Sequence, residues 1–237
     1  MRTIIVGDVH GCRSELEALL DRVAFASGDR LVFVGDLVAR GPDSLGVLDV
    51  ARRTGAVVVR GNHEQKLLEW RDARLAWMHG HASAKPPIGK MHRDLARSLR
   101  PVDWSLLANA PCFVDLPEHA LRVVHAGLDP GLPLDDQHPM TMMRIRTVKE
   151  RGPRGKRDVL WGSRWHGPPH VIFGHHAAPG LQLHPWATGL DTGCVYGGRL
   201  TALRYPELEI VAVLAAEVYF ESRRTPELRA AAQAYRY

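Results

Sequence analysis

The chain has 237 residues, 45% hydrophobic and 24% charged, enough to bury a real core within one domain. Its net charge of +5 fits an anionic partner. The basic residues are scattered, with a mild concentration from Lys149 to Arg164, which reads as solvated surface rather than a nucleic-acid stripe, so no specific DNA binding is expected.

Cys12, Cys112 and Cys194 are odd in number and lack CxxC spacing, which argues against a disulfide framework or zinc knuckle. Met1-Arg2-Thr3 leads into a short apolar strand without the long apolar region of a signal peptide, and no run reaches membrane-span length. A soluble cytoplasmic protein with no membrane partner is therefore expected.

In chain order, Thr3 to Val6 is a short apolar β-branched run that reads as a strand. A helix is predicted from Ser14 to about Val23, with Ser14 as N-cap and Glu17 completing a capping box. Leu31 to Val34 is a second strand, Leu45 to Arg53 a helix closed by Gly55, and Ala56 to Val59 a third strand. Such alternation predicts parallel strands covered on both faces. Residues 64 to 110 read as mostly helical, interrupted at 85–90, and could form a helical cap on a single domain spanning 1–237. Strands follow at Cys112 to Leu116 and Leu121 to Val124. Residues 129 to 158 read as loops around a short helix near Met140 to Val148. Val171 to Phe173 is a strand, Leu200 to Tyr205 and Leu208 to Leu214 form a hairpin, and Thr225 opens a C-terminal helix.

Five of the strand ends share one feature. Each stops at glycine or directly at a metal-capable side chain: Gly7-Asp8-Val9-His10-Gly11, Gly35-Asp36, Gly61-Asn62-His63-Glu64, His125-Ala126-Gly127 and Gly174-His175-His176. Ligands collect at strand carboxyl ends, where loops converge. Alone, Asp8 or Asp36 could simply cap a helix, and one histidine among 13 is weak evidence. Together they make a chemically coherent donor set of carboxylate, imidazole and amide without thiolate. That set suits two divalent transition-metal ions, manganese above all, with cobalt, iron, nickel or zinc as alternatives. Asp8 and His10 can turn toward one ion, and Asp36 is best placed to bridge two. Two such ions clamp the attacking and leaving oxygens of an in-line phosphoryl displacement.

The run GDVHG, GDLVARGPDS, GNHE, HAG and GH resembles the phosphoprotein-phosphatase branch of the calcineurin-like metallophosphoesterases. The resemblance implies an α/β fold, a two-sheet β-sandwich flanked by helices in four αββα layers. It also implies that Asp8, His10 and Asp36 hold the first metal, and Asp36, Asn62, His125 and His175 the second. His63 would protonate the leaving group and Arg40 would grip the phosphoryl oxygens. Asp191, in the Gly-rich segment 189–198, would orient a histidine ligand.

Within that branch, GDLVARGPDSL and LDTGCVYGGRLTALRY resemble the symmetrical diadenosine tetraphosphatases, which cut a dinucleoside tetraphosphate into two nucleoside diphosphates. The stretch Met140 to Arg146 resembles that family's Thr-x-Met-Arg segment and nominates Arg144 as a further polyphosphate contact. A shorter interval between HAG and GH, and GNHE in place of GNHD, leave a phosphoserine/phosphothreonine phosphatase as the alternative. Removal of dinucleotide-type caps from RNA ends would use the same chemistry, and a catalytically inactive binding module is disfavoured because every matched position is intact. One absence stands out: Ala39 replaces the aspartate that protein phosphatases of this branch pair with their catalytic histidine. Glu64 is a candidate substitute.

Overall fold

Residue alternation sets the layers. The first strand, β1 (Thr3–Val6), turns Ile5 into one apolar cluster and Ile4 and Val6 into another, and all three are fully buried. A strand buried on both sides needs a second sheet on one face and helices on the other. A computed structural model describes residues 1–84, 86–152, 155–222 and 226–227, and it meets both needs.

After β1 the chain forms α1 (Arg13–Arg22), β2 (Arg30–Phe33), α2 (Ser44–Arg53) and β3 (Val57–Val58). Three helices follow, α3 (Asn62–Met78), α4 (Lys90–Ser98) and α5 (Pro101–Asn109), filling the region expected to be a helical cap. Next come β4 (Phe113–Leu116), β5 (Leu121–Val124), α6 (Pro139–Arg144), β6 (Thr147–Gly152), β7 (Gly155–Leu160) and β8 (His170–Phe173). The chain continues with β9 (Gln182–His184), β10 (Ala187–Gly189), β11 (Arg199–Tyr205) and β12 (Glu209–Leu214). Two mixed sheets result, ordered β12-β11-β1-β2-β3 and β4-β5-β8-β10-β9. In the first, β1, β2 and β3 are parallel; in the second, β5, β8 and β10 are parallel.

Ile5, Val32, Val34 and Leu203 of one sheet meet Leu121, Val123 and Ile172 of the other between the layers. Leu16, Leu48, Leu67 and Leu107, from α1, α2, α3 and α5, cover Ile4, Val6 and Phe33 on the first sheet's outer face. On the second sheet's outer face Met142 of α6 joins Trp161, which packs edge-on against Phe173 at 4.8 Å between ring centroids. Each large side chain buried in this way contributes about 1.5–3 kcal/mol. The expected α/β sandwich flanked by helices is the fold observed.

Several local expectations are corrected. Helix α1 starts one residue early, at Arg13, and Cys12 precedes it without a side-chain cap. His10 and Gly11 both take positive φ (49° and 74°), so the chain is already turned when it reaches Ser14. Glu17 then pairs with Arg13 at 2.9 Å instead of closing a capping box. The segment read as loop between residues 147 and 158 is largely the β6–β7 hairpin. Cross-strand ion pairs, Lys149 with Asp158 and Glu150 with Arg157, line it where a hydrophobic alternation would have revealed it. The short strands β9 and β10 also went unread, since Ala187-Thr188-Gly189 has little intrinsic strand preference. The C-terminal helix expected from Thr225 lies outside the described residues apart from Pro226 and Glu227.

The fold also gathers residues that the sequence keeps apart. The thiols of Cys12 and Cys194 and a Glu15 carboxylate oxygen lie within 4.8 Å of one another, buried. All three cysteines are free. The contact with Cys12, and then burial, raise the pKa of the Cys194 thiol well above its usual value and keep it protonated. Among the described residues, no helix is long and apolar enough to cross a membrane.

Candidate metal centre

Parallel strands point their carboxyl ends one way, and that end carries the five motifs. Asp8 and His10 follow β1, Asp36 follows β2, Asn62 and His63 follow β3, His125 follows β5 and His175 follows β8. Gly174 N donates to His125 O at 2.7 Å within the second sheet, and His175 N ties that sheet to the first by donating to both Asp8 oxygens at 3.0 and 3.2 Å. A Cβ on Gly174 would sit 1.9 Å from Asp8 Oδ1, so only glycine lets the β8 loop pass this carboxylate.

Asp36 holds the middle. Its Oδ2 lies 3.6 Å from His10 Nε2 and 3.5 Å from His125 Nε2, between one histidine from each half of the expected ligand set. Its Oδ1 accepts from His63 N at 2.9 Å. Donor atoms of His10, Asp36 and His63 gather within 4.8 Å of one another, and those of Asp36, His125 and His175 form a second such group. Asp8 Oδ2 joins the first group's edge, 4.0 Å from His10 Nε2.

The Asp36 loop is held by Glu64, which is fully buried. One oxygen accepts from Asp36 N and Gly61 N, each at 2.9 Å; the other accepts from Leu37 N at 3.0 Å and Val38 N at 3.3 Å. Glu64 is thereby committed to backbone and does not take the place of the carboxylate missing at Ala39. The side chain found beside His63 is His92 on α4, whose Nε2 lies 3.1 Å from His63 Nδ1. Nothing in the sequence pattern around His92 signals this contact, which depends on where the fold places α4.

The donor set fits divalent cations. Carbonyl oxygens only accept, so Val38 O at 3.2 Å and Val34 O at 3.0 Å each call for a proton on Nδ1 of His10 and His125. That leaves the Nε2 lone pairs facing the cavity. His125 Nε2 also sits 3.1 Å from Asn62 Oδ1, so one imidazole proton is asked to serve two acceptors. A cation beside Nε2 and Oδ1 removes that conflict. Burial first, and then neighbouring Asp191 and Asp36, raise the pKa of Asp8 well above the usual carboxylate range. Burial likewise lifts Asp36 to about 7 and raises Asp191. Burial lowers His10, and lowers His125 to about 4, which keeps both rings neutral. Buried carboxylates short of positive charge, beside neutral imidazoles, are the partners a pair of dications requires.

Two arginines line the same cavity. Arg40 Nη1 donates to His10 Nε2 at 2.8 Å, and its guanidinium lies over Tyr196 and Phe220 at 5.6 and 5.8 Å from their ring centroids. The single lone pair of His10 Nε2 serves either Arg40 or a metal ion. Arg146 Nε donates to His175 Nε2 at 3.3 Å, so Arg146 lies closer to the donor set than the nominated Arg144. Arg144 instead lines an adjoining groove of about 600 Å³ with Lys66, Asn62, Arg146 and Thr147. Arg146 was within reach of the sequence, two residues along the quoted Met140 to Arg146 stretch. Asp191, expected to orient a histidine, accepts from Gly193 N at 3.1 Å and faces the cavity, while the carbonyls of Val34 and Val38 accept from His125 and His10.

The profile of the calcineurin-like phosphoesterase family matches residues 1–214, and the chain belongs to that family. It is 32% identical over 246 residues to bis(5'-nucleosyl)-tetraphosphatase PrpE (asymmetrical) of Bacillus subtilis strain 168, covering 94% of this chain and 98% of that protein. The protein of the same name from Halalkalibacterium halodurans is 30% identical, with 90% and 94% covered. A crystal structure of a candidate diadenosine tetraphosphatase superposes with a TM-score of 0.76 at 39% identity, covering 90% of this chain and 93% of that one. A protein serine/threonine phosphatase of Saccharomyces cerevisiae shares the fold, with a TM-score of 0.56 at 16% identity over 92% of this chain and 80% of that one.

Two substitutions test this geometry. Gly174→Ala should push Asp8 out of place, costing about 1–3 kcal/mol in urea unfolding and weakening metal uptake in calorimetric titration. Glu64→Gln puts an amide against four N–H donors and should cost about 2–4 kcal/mol, with parallel loss of metal binding. A Glu64→Gln protein with wild-type stability would show that the clamp is dispensable.

Proposed function

We propose that this chain hydrolyses dinucleoside polyphosphates at a two-metal centre. One observation carries the reading: cations continue outward from the donor set. Arg40 and Arg146 line the central cavity, and Lys66 and Arg144 line the groove that opens from Asn62 and His175. A lone phosphomonoester would engage only the inner pair, whereas a chain of phosphates can span both.

Asp8, His10 and Asp36 would hold one ion and Asp36, Asn62, His125 and His175 the other, with Asp36 shared. Once bound, the pair supplies Lewis-acid activation of the phosphoryl group and of the attacking water. The remaining work belongs to the protein. Arg40 grips the equatorial phosphoryl oxygens and Arg146 the flanking phosphate. His63, buried beside Asp36, faces the departing oxygen. The imidazole content of the set favours manganese or cobalt over magnesium.

The relatives' names weigh toward an asymmetric cut, giving AMP and ATP, over the symmetric cut to two ADP that GDLVARGPDSL led us to expect. We adopt the asymmetric register. A protein phosphatase would want a carboxylate beside its catalytic histidine, and Ala39 and His92 offer none. The free thiols suit a reducing, cytoplasmic setting.

Diadenosine tetraphosphate, a phosphopeptide and a capped RNA should be compared as substrates with manganese present. Chromatography should show AMP and ATP from the dinucleotide, with much slower turnover of the other two. Two ADP would restore the symmetric register, and turnover of phosphopeptide alone would replace the reading with the protein phosphatase. Chelation should abolish activity and manganese should restore it. Asp36→Ala should lower kcat by about 100-fold or more, since both ions lose a ligand. Full activity in chelated protein would refute the metal centre.

A further inference from the structure

The first turn of α4 is built into the catalytic end of the molecule. Met91 Sδ accepts from Arg40 N at 3.2 Å. The next residue, His92, is 3% exposed and sets its Nε2 3.1 Å from His63 Nδ1, with the rings 24° from parallel. Leu95, one turn on, anchors the helix to the core on the first sheet. The sequence has no carboxylate at Ala39 to face His63, and Glu64 is spent on backbone N–H groups.

We propose that His92 is a positioning and specificity-determining residue that donates its Nε2–H to His63 Nδ1. The contact itself stands on geometry, while the direction of the bond and its consequence rest on the hydrolase reading. A carboxylate at this place would accept from Nδ1–H and favour an imidazolium, a strong acid with a proton to give. A histidine donor does the reverse. It occupies the Nδ1 lone pair, fixes the neutral Nε2–H tautomer of His63 and presents that N–H to the departing oxygen.

At 3.1 Å the two ring nitrogens are within hydrogen-bond distance, so one proton lies between them and one of the rings supplies it. Burial, and then Lys66 and Arg40, lower the pKa of His92 to about 4, so its ring is neutral. With His92 as its donor, His63 retains a proton on Nε2. With His92 as acceptor, His63 would turn a bare lone pair toward the leaving group and could donate nothing.

A neutral His63 gives a hydrogen bond and keeps its proton, because transferring it would leave an imidazolate. The chemistry balances for a phosphoanhydride, whose nucleotide leaving group departs as a stable anion carrying the bonding electron pair. A serine alkoxide needs the proton itself. His92 thus adapts a phosphatase-like site to anhydrides and against phosphomonoesters.

Three variants and one spectrum test this. His92→Gln keeps an N–H donor at similar reach and should retain kcat on diadenosine tetraphosphate within about 3-fold. His92→Ala should lower kcat by about 10- to 100-fold with little change in KM, as loss of an oriented donor does. His92→Glu exchanges donor for acceptor and should raise phosphopeptide hydrolysis by about 10-fold or more, within the range of general-acid effects. Long-range nitrogen–proton NMR on zinc-loaded, diamagnetic protein, with signals assigned against His63→Asn, should show His63 protonated at Nε2 only. Protonation at Nδ1, or a His92→Gln variant as damaged as His92→Ala while melting normally, overturns the inference. The expected tautomer in a protein that cleaves no dinucleotide overturns the hydrolase reading and leaves the His92 assignment standing.

Discussion

The catalytic end is organised by one buried carboxylate. Glu64 takes four backbone N–H groups, one from the start of α3 and three in succession along the loop after β2. Those N–H groups could not reach a strand partner, because the loop turns there through positive φ at Asp36 (50°). Burying so many donors without an acceptor would cost about 1–3 kcal/mol each. Burial pushes the Glu64 pKa up to about 7, while the hydrogen bonds pull it down; the clamp is a balance of desolvation against hydrogen bonding. Its consequence is geometric. The Asp36 loop and the α3 terminus bearing Asn62 and His63 become one rigid body, and His63 N returns the favour by donating to Asp36 Oδ1 at 2.9 Å.

The second sheet is then referenced to that body through backbone rather than side-chain packing alone. Val34 O takes Nδ1–H of His125 from across the sandwich, and Asp8 takes His175 N. The same hydrogen bonds that join the sheets also fix which imidazole nitrogen keeps its lone pair. Fold and ligand orientation are therefore a single constraint, and the close approach at Gly174 and at Gly61, where a Cβ would lie 2.3 Å from Asp36 Oδ1, follows from it.

This coupling explains what could be read in the sequence. Motifs at strand ends are legible because strand and ligand are neighbours in the chain: Asp8 after Thr3–Val6, His125 directly after Leu121–Val124. The two-sheet sandwich followed from the resemblance those motifs carry, and the strand pattern agreed with it. Contacts made by folding across long separations left no local trace. His92 reaches His63 from 29 residues away, and Arg146 reaches His175 from the same distance along the chain. The β6–β7 hairpin escaped because its pairing is ionic, with no buried face to impose a period of two.

Charge closes the argument. Asp8, Asp36 and Asp191 are buried together with neutral imidazoles, a net negative interior that burial alone penalises. The nearest protein cations do not cancel it. Arg40 is engaged with a histidine rather than a carboxylate, and so is Arg146. Each arginine therefore reaches the cavity with donors to spare, at the boundary between a cation-seeking floor and an open groove lined by Lys66 and Arg144. Metal ions would satisfy the floor, and an anion of several charges would suit the rim. On the proposed reading the arrangement separates two kinds of recognition: carboxylate and imidazole for the ions, guanidinium and ammonium for a polyanion. A substrate with several linked phosphates would meet that whole rim at once, where a single phosphate would meet part of it.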